Sequence, residues 1–172
     1  MKNIKYIILV LTCIVMQINH SYAQNPKLDS LLLITTTDTY QKAKKDTTRV
    51  NLLNAIALEY IYANGYDKSL EFANQALEIA DRIHFVAGSV KAQNNIGSVY
   101  YNKGEYDLAL SYHKKELLES EQNNFKQGIA ISLNMIGIAY HNKAEFDKAT
   151  EHYFRSLKIS EQIGDARTSA SS

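Results

Sequence analysis

Between Tyr106 and Gln122 the apolar or small positions Tyr106, Ala109, Leu110, His113 and Leu117 follow the spacing i, i+3, i+4, i+7, i+11. That stripe lies along one face of an α-helix. A partner helix is predicted just upstream, from about Ser89 to Lys103, with Gly104 and Glu105 as the turn between the two. The pair then recurs. NAIALEYIYANGYDKSLEF from Asn54, NNIGSVYYNKGEYDLALSY from Asn94 and NMIGIAYHNKAEFDKATEH from Asn134 align without a gap. Ile56, Ile96 and Ile136 stand 40 residues apart, as do Tyr60, Tyr100 and Tyr140, then Tyr66, Tyr106 and Phe146, then Leu77, Leu117 and Leu157. Four coincidences in one register define a tandem repeat of antiparallel helix pairs, an all-α solenoid. The units fall at 49–88, 89–128 and 129–167, leaving 24–48 as an N-terminal capping helix or linker. Residues 168–172 are then the start of an incomplete fourth unit or a frayed tail.

Glycines refine this picture. Gly65 and Gly104 fall at turns, where a left-handed backbone is cheap for glycine, and Gly88 and Gly128 at the joins between units. Gly97 and Gly137 fall inside a helix, where glycine costs about 1 kcal/mol relative to alanine. Ala57 is their equivalent in the first unit. A costly small residue at one register position implies that a neighbouring helix passes close by, with Ser69, Ala109 and Ala149 as its expected small partners. Tyr60, Tyr100 and Tyr140, one turn on, would fill the wedge where the pair diverges.

The small residue in the first helix, the Tyr three residues later, the aromatic at the turn and the Ala or Ser after it resemble the tetratricopeptide repeat. The resemblance covers roughly residues 50–168 and departs from the family in three ways. Gln93 stands where Leu53 and Leu133 supply the usual large residue. Asp81, Glu121 and Glu161 replace the terminal proline. The period is 40 rather than the commoner 34. The chain is thus similar to the longer repeats of kinesin light chain and of some bacterial peptide-sensing regulators. Such a resemblance implies a right-handed α-solenoid of antiparallel helix pairs, binding a peptide or protein segment.

Asn54, Asn94 and Asn134 share one register position on the first helices, which line the concave side of an α-solenoid. A side-chain amide both donates and accepts, so it can bond a peptide backbone whatever its sequence. The resemblance implies that role for this column. Leu58, Ser98 and Ile138 would set pocket polarity one turn on. Tyr62, Asn102 and Asn142, with Tyr101 and His141, would border the groove, and Lys91 would be its most obvious charge. The alternative is that the asparagines cap or bridge neighbouring helices internally.

Composition narrows the chemistry. Nineteen basic against eighteen acidic side chains give a net charge of +1, so no electrostatic footprint for nucleic acid is visible. No phosphate-binding glycine loop, dinucleotide fingerprint or H-E-x-x-H motif occurs, and no catalytic residue, metal site or cofactor is expected. Glu116, Glu119 and Glu121 crowd one helix and read as a solvated face.

The N-terminus reads as an address. Lys2 and Lys5, the apolar stretch Tyr6–Met16, and Ser21-Tyr22-Ala23 have the three parts of a secretory signal over residues 1–23, cut after Ala23. A retained anchor or lipidation of Cys13 fits that segment less well, because the stretch is short for a spanning helix and Thr12 precedes the cysteine. The expected destination is secreted or periplasmic, with no membrane insertion after cleavage. At the other end Leu157, Ile159 and Ile163 would face a missing neighbour, so end-to-end self-association is a further expectation. Two readings of the whole remain open: an exported non-catalytic scaffold, or the N-terminal sensory part of a larger bacterial signalling protein such as a sensor histidine kinase or transcriptional regulator.

Overall fold

A computed structural model describes residues 25–37 and 47–170, with side chains as far as Gly164. The expected signal over 1–23, its cut after Ala23 and Cys13 lie outside the described residues, as does part of the 24–48 segment.

Helix α1 (Pro26–Thr35) begins where the Asn25 side chain accepts the Leu28 N–H at 3.1 Å, with Pro26 in the first turn. It ends at the threonine run. The hydroxyls of Thr35, Thr36 and Thr37 donate back to the carbonyls of Leu32, Leu33 and Ile34, a local alternative to continuing the helix. Three hairpins follow: α2 (Thr47–Tyr62) with α3 (Tyr66–Arg82), α4 (Val86–Asn102) with α5 (Tyr106–Gln122), and α6 (Lys126–Asn142) with α7 (Phe146–Ala170). Each hairpin packs on the next, and the described residues contain helices and turns but no strand.

The turns are more regular than the 40-residue repeat demands. Asn64, His84, Gly104, Asn124 and Ala144, spaced 20 apart, all have positive φ, from 52° to 78°. At each, two backbone bonds close the preceding helix; in the first they are Asn64 N–H to Ile61 O at 3.0 Å and Gly65 N–H to Tyr60 O at 2.8 Å. The other four turns repeat this pattern, the Schellman closure that satisfies the last carbonyls. Turns within and between hairpins are therefore the same device. The left-handed residue of the first turn is Asn64 rather than the expected Gly65, whose φ is −84°. Gly88 and Gly128 lie inside the first turn of α4 and α6, where a Cβ would strike the rings of Phe85 and Phe125.

The next position in the 20-residue series is Gly164, yet α7 runs straight through it for 25 residues. Residues 168–170 therefore continue α7 instead of opening a fourth hairpin.

The core is built from the repeat register. Ile56, Ile96 and Ile136 are at most 1% exposed. Tyr60 stacks on Phe72, Tyr100 on Tyr112 and Tyr140 on His152, with ring centroids 5.5–5.6 Å apart. This is one aromatic pair per hairpin, filling the expected wedge. The close approach at the helical glycines differs from expectation. A Cβ on Gly97 would come 2.6 Å from the His113 ring, and one on Gly137 would come 2.6 Å from the Tyr153 ring. The glycines make room for rings on the second helix, not for Ala109 or Ala149. In the first hairpin the same two positions are Ala57 and Ala73, both buried in one cluster. Ser69 does mark a close contact: its hydroxyl donates to Ala57 O at 2.8 Å.

Candidate partner-binding face

The first helices of successive hairpins pack together, α2 with α4 and α4 with α6, whereas no comparable contact joins α3 with α5 or α5 with α7. Elements that crowd lie on the inside of a curve, so α2, α4 and α6 line the concave side. Their composition sets that side apart. The formal charges of these three helices are Arg49, Glu59, Lys91 and Lys126, whereas α3 and α5 carry six each. Charge is concentrated on the second helices.

The expected binding residues divide into groups on this surface. Lys91, Tyr62, Asn102, His141, Asn142 and Asn134 are exposed, while Leu58, Ser98, Ile138, Tyr101 and Asn94 are half-buried. At one rim Asn142 donates to the Tyr101 hydroxyl at 3.0 Å, tying α6 to α4. His141 meets Phe146 edge-on at 5.4 Å. Asn102 and Asn142 also donate back to the carbonyls of Ser98 and Ile138, closing the ends of their own helices.

The asparagine column does not present three equal rungs. Asn54 is fully buried. It donates to Gly88 O at 3.0 Å, and Asn95 donates to its backbone carbonyl at 3.0 Å. Asn54 is thus an internal brace between hairpins, the bridging alternative, and meets no groove ligand. Asn94 lies with Nδ2 3.4 Å from both carboxylate oxygens of Glu116. Asn134 is exposed and makes no hydrogen bond within the described protein.

Behind Asn94 lies a group that helical spacing alone did not reveal. Glu116, expected on a solvated face, is fully buried and accepts from His113 Nδ1 at 3.0 Å. With Glu116 ionised its oxygens only accept, and Nδ1 then carries the hydrogen. His113 is also fully buried, and its Nε2 has no partner. Register comparison could have found the pair: its equivalents are Ala73 with Ala76 and Tyr153 with Ser156, none of them charged. Gln93 extends this polar interior, reaching Ser89 Oγ at 3.1 Å and the Glu119 carboxylate. Ser89 Oγ in turn lies 2.9 Å from Asp81 Oδ1.

The N-terminal end is closed by charge. Glu59, buried, accepts from Asn25 Nδ2 at 2.9 Å and pairs with Lys27 Nζ at 2.6 Å. The Lys27 bond holds the Glu59 carboxyl below the ordinary glutamate value, aided by Asn25, and Glu59 raises Lys27 in return. At the equivalent positions Val99 and Ala139 are buried, so α1 docks on α2 by ion pairing where later helices use apolar contact. The opposite end is open: Phe154 is 69% and Leu157 53% exposed. Among the described residues no three His, Cys, Asp or Glu side chains converge as metal ligands, and no helix is long and apolar enough to cross a membrane.

Residues 89–162 match the family model of the tetratricopeptide repeat. No curated protein matches the chain by sequence. Among solved structures, the tetratricopeptide domain of Arabidopsis FLU is similar over 67% of this chain and 97% of its own, with TM-score 0.61 and 20% identity. The apo form of RapI is similar over 73% of this chain and 46% of its own, with TM-score 0.66 and 25% identity. BtubC from P. vanneervenii matches over 80% of this chain and 55% of its own, with TM-score 0.63 and 18% identity. The chain thus spans about half the length of the last two. Residues 89–162 thus carry the tetratricopeptide repeat, and the stacked hairpins around them share its fold, one that generally serves protein interaction rather than catalysis.

Proposed function

We propose that this chain is an exported, non-catalytic scaffold that holds an extended peptide or protein segment across the face formed by α2, α4 and α6. The supporting observation is the chemistry of that face: amides, aromatic rings and aliphatic groups, with Lys91 as its one exposed charge near the centre. Such a surface gains affinity from apolar burial and from hydrogen bonds to a backbone, not from charge attraction. Export rests on the signal-like pattern of residues 1–23, and N-terminal sequencing of the mature protein tests it directly.

The test of binding is selection of dodecamer peptides from a random displayed library on the immobilised protein. Affinity of the selected peptide is then read by fluorescence anisotropy at low and high salt. Binding that changes little with salt is expected, since screening acts on charge pairs. Asn134→Ala should weaken binding and leave the urea midpoint unchanged. Asn54→Ala should instead lower stability by about 1–3 kcal/mol, because buried partners lose their bonds. Failure to select any peptide, or loss of binding confined to variants that unfold, rejects the proposal.

A further inference from the structure

Resting on that reading of the concave face, we infer that Glu116 is a positioning residue that fixes which end of the Asn94 amide meets the partner. This rung therefore accepts a hydrogen bond and does not donate one.

An ionised Glu116 offers acceptors only, so Asn94 then bonds it solely through Nδ2. Both Glu116 oxygens lie 3.4 Å from that nitrogen. Glu116 is itself held, by His113 Nδ1 at 3.0 Å, and neither side chain has appreciable solvent exposure. Gly97 admits the histidine ring, since a Cβ there would lie 2.7 Å from Nε2. With Nδ2 turned inward, Oδ1 points the opposite way. Among the described residues it has no partner and is not one of the buried, unbonded atoms, so it stands at the surface.

The third rung lacks this device. Ser156 occupies the position of Glu116, and its hydroxyl donates to Ala130 O at 2.7 Å. Asn134 can therefore turn either end of its amide outward. Such a difference selects the partner. Facing Asn94, the bound segment gains by presenting a donor; where that donor is a backbone N–H, proline and N-alkylated residues are disfavoured. Facing Asn134, no such restriction applies.

The experiment uses the full chain and two variants, Asn94→Ala and the double variant His113→Tyr with Glu116→Ser, which transplants the third hairpin's residues and keeps the core filled. Solvent exchange of side-chain amide protons, read by NMR on ¹⁵N-labelled protein, should be about tenfold or more slower at Asn94 than at Asn134. The double variant should erase that difference. Equal exchange at the two sites in the unaltered chain, or slow Asn94 exchange that survives in the double variant, overturns the inference.

The peptide selected on the unaltered chain supplies the second readout. N-methylation at one backbone position should weaken it about tenfold, and that penalty should fall below about threefold on Asn94→Ala and on the double variant. An undiminished penalty on the double variant refutes the role of Glu116. If no peptide is selected, the reading of the concave face fails, while amide exchange still decides the orientation of Asn94.

Discussion

The first and second hairpins share one backbone geometry and hold opposite interiors. Between α2 and α3 the close contact is Ala57 against Ala73, with Leu53 and Ala76 in the neighbouring apolar cluster. Between α4 and α5 the equivalent positions are Gly97, His113, Gln93 and Glu116, three of them polar and all nearly without exposure. The backbone turns, the stacked rings and the buried isoleucine do not change. A repeat therefore fixes the frame, and the interior behind each rung can be altered without disturbing it. Where that interior is ionisable, its order reaches the surface through Asn94; where it is apolar, the rung itself is drawn inside, as Asn54 is.

The comparison is broken most severely by removing one member of the buried pair. His113→Ala leaves Glu116 desolvated without its strongest partner, and a loss of about 3–5 kcal/mol in urea unfolding is expected. The double variant described above, which replaces both members by those of the third hairpin, should lose less than about 1.5 kcal/mol, since it is a near volume-conserving exchange. A double variant as unstable as the single one would mean that the polar interior is required by the fold.

A smaller effect separates the two helical glycines. Gly97→Ala pushes a methyl into the His113 ring, which is buried on all sides, and overpacking costs about 1–3 kcal/mol against a helix gain of about 1 kcal/mol. Gly137→Ala meets Tyr153, which is only half-buried on the open end and can move aside. A net loss is expected for the first and almost none for the second, measured as the difference in melting free energy. Ala144→Gly should be mildly stabilising, by about 1 kcal/mol, because Ala144 holds φ at 58° in a turn where its counterpart is Gly104.

The smallest effect concerns α1. Glu59 has its carboxyl lowered by Lys27 and Asn25, so its contribution is complete above the ordinary glutamate value and disappears as pH falls through its own lower one. Lys27, raised by the same bond, keeps its contribution until pH climbs past its raised value. Amide exchange in α1 should therefore quicken on acidification before that of α2. Simultaneous exchange of both helices would show that the ion pair does not govern docking.

The sequence made the frame legible because the frame is made of repetition. Spacing placed the hairpins, bounded α5 correctly, and identified Gly97 and Gly137 as sites of close approach. It misjudged what approaches, because a stripe drawn along one helix does not say which side chain lies opposite: the glycines face His113 and Tyr153, not alanines. Glu116 was misread along its own helix for a related reason. A glutamate three residues after a histidine is common on wet helices, and only the meeting of α4 with α5 encloses it. The asparagines looked equivalent because register is equal for all three, but burial is not: Asn54 is enclosed by its bonds to Gly88 and Asn95, Asn94 is half-buried and Asn134 exposed.

Gly164 carries a consequence for the end of the array. It sits in phase with five left-handed turn residues and is the amino acid to which that conformation comes most easily, yet here it is helical, at a penalty near 1 kcal/mol relative to alanine. Running on as a rod, α7 carries Phe154 and Leu157 exposed along its flank. Among the described residues the array therefore finishes on an unbroken helix, where its own rhythm calls for a corner.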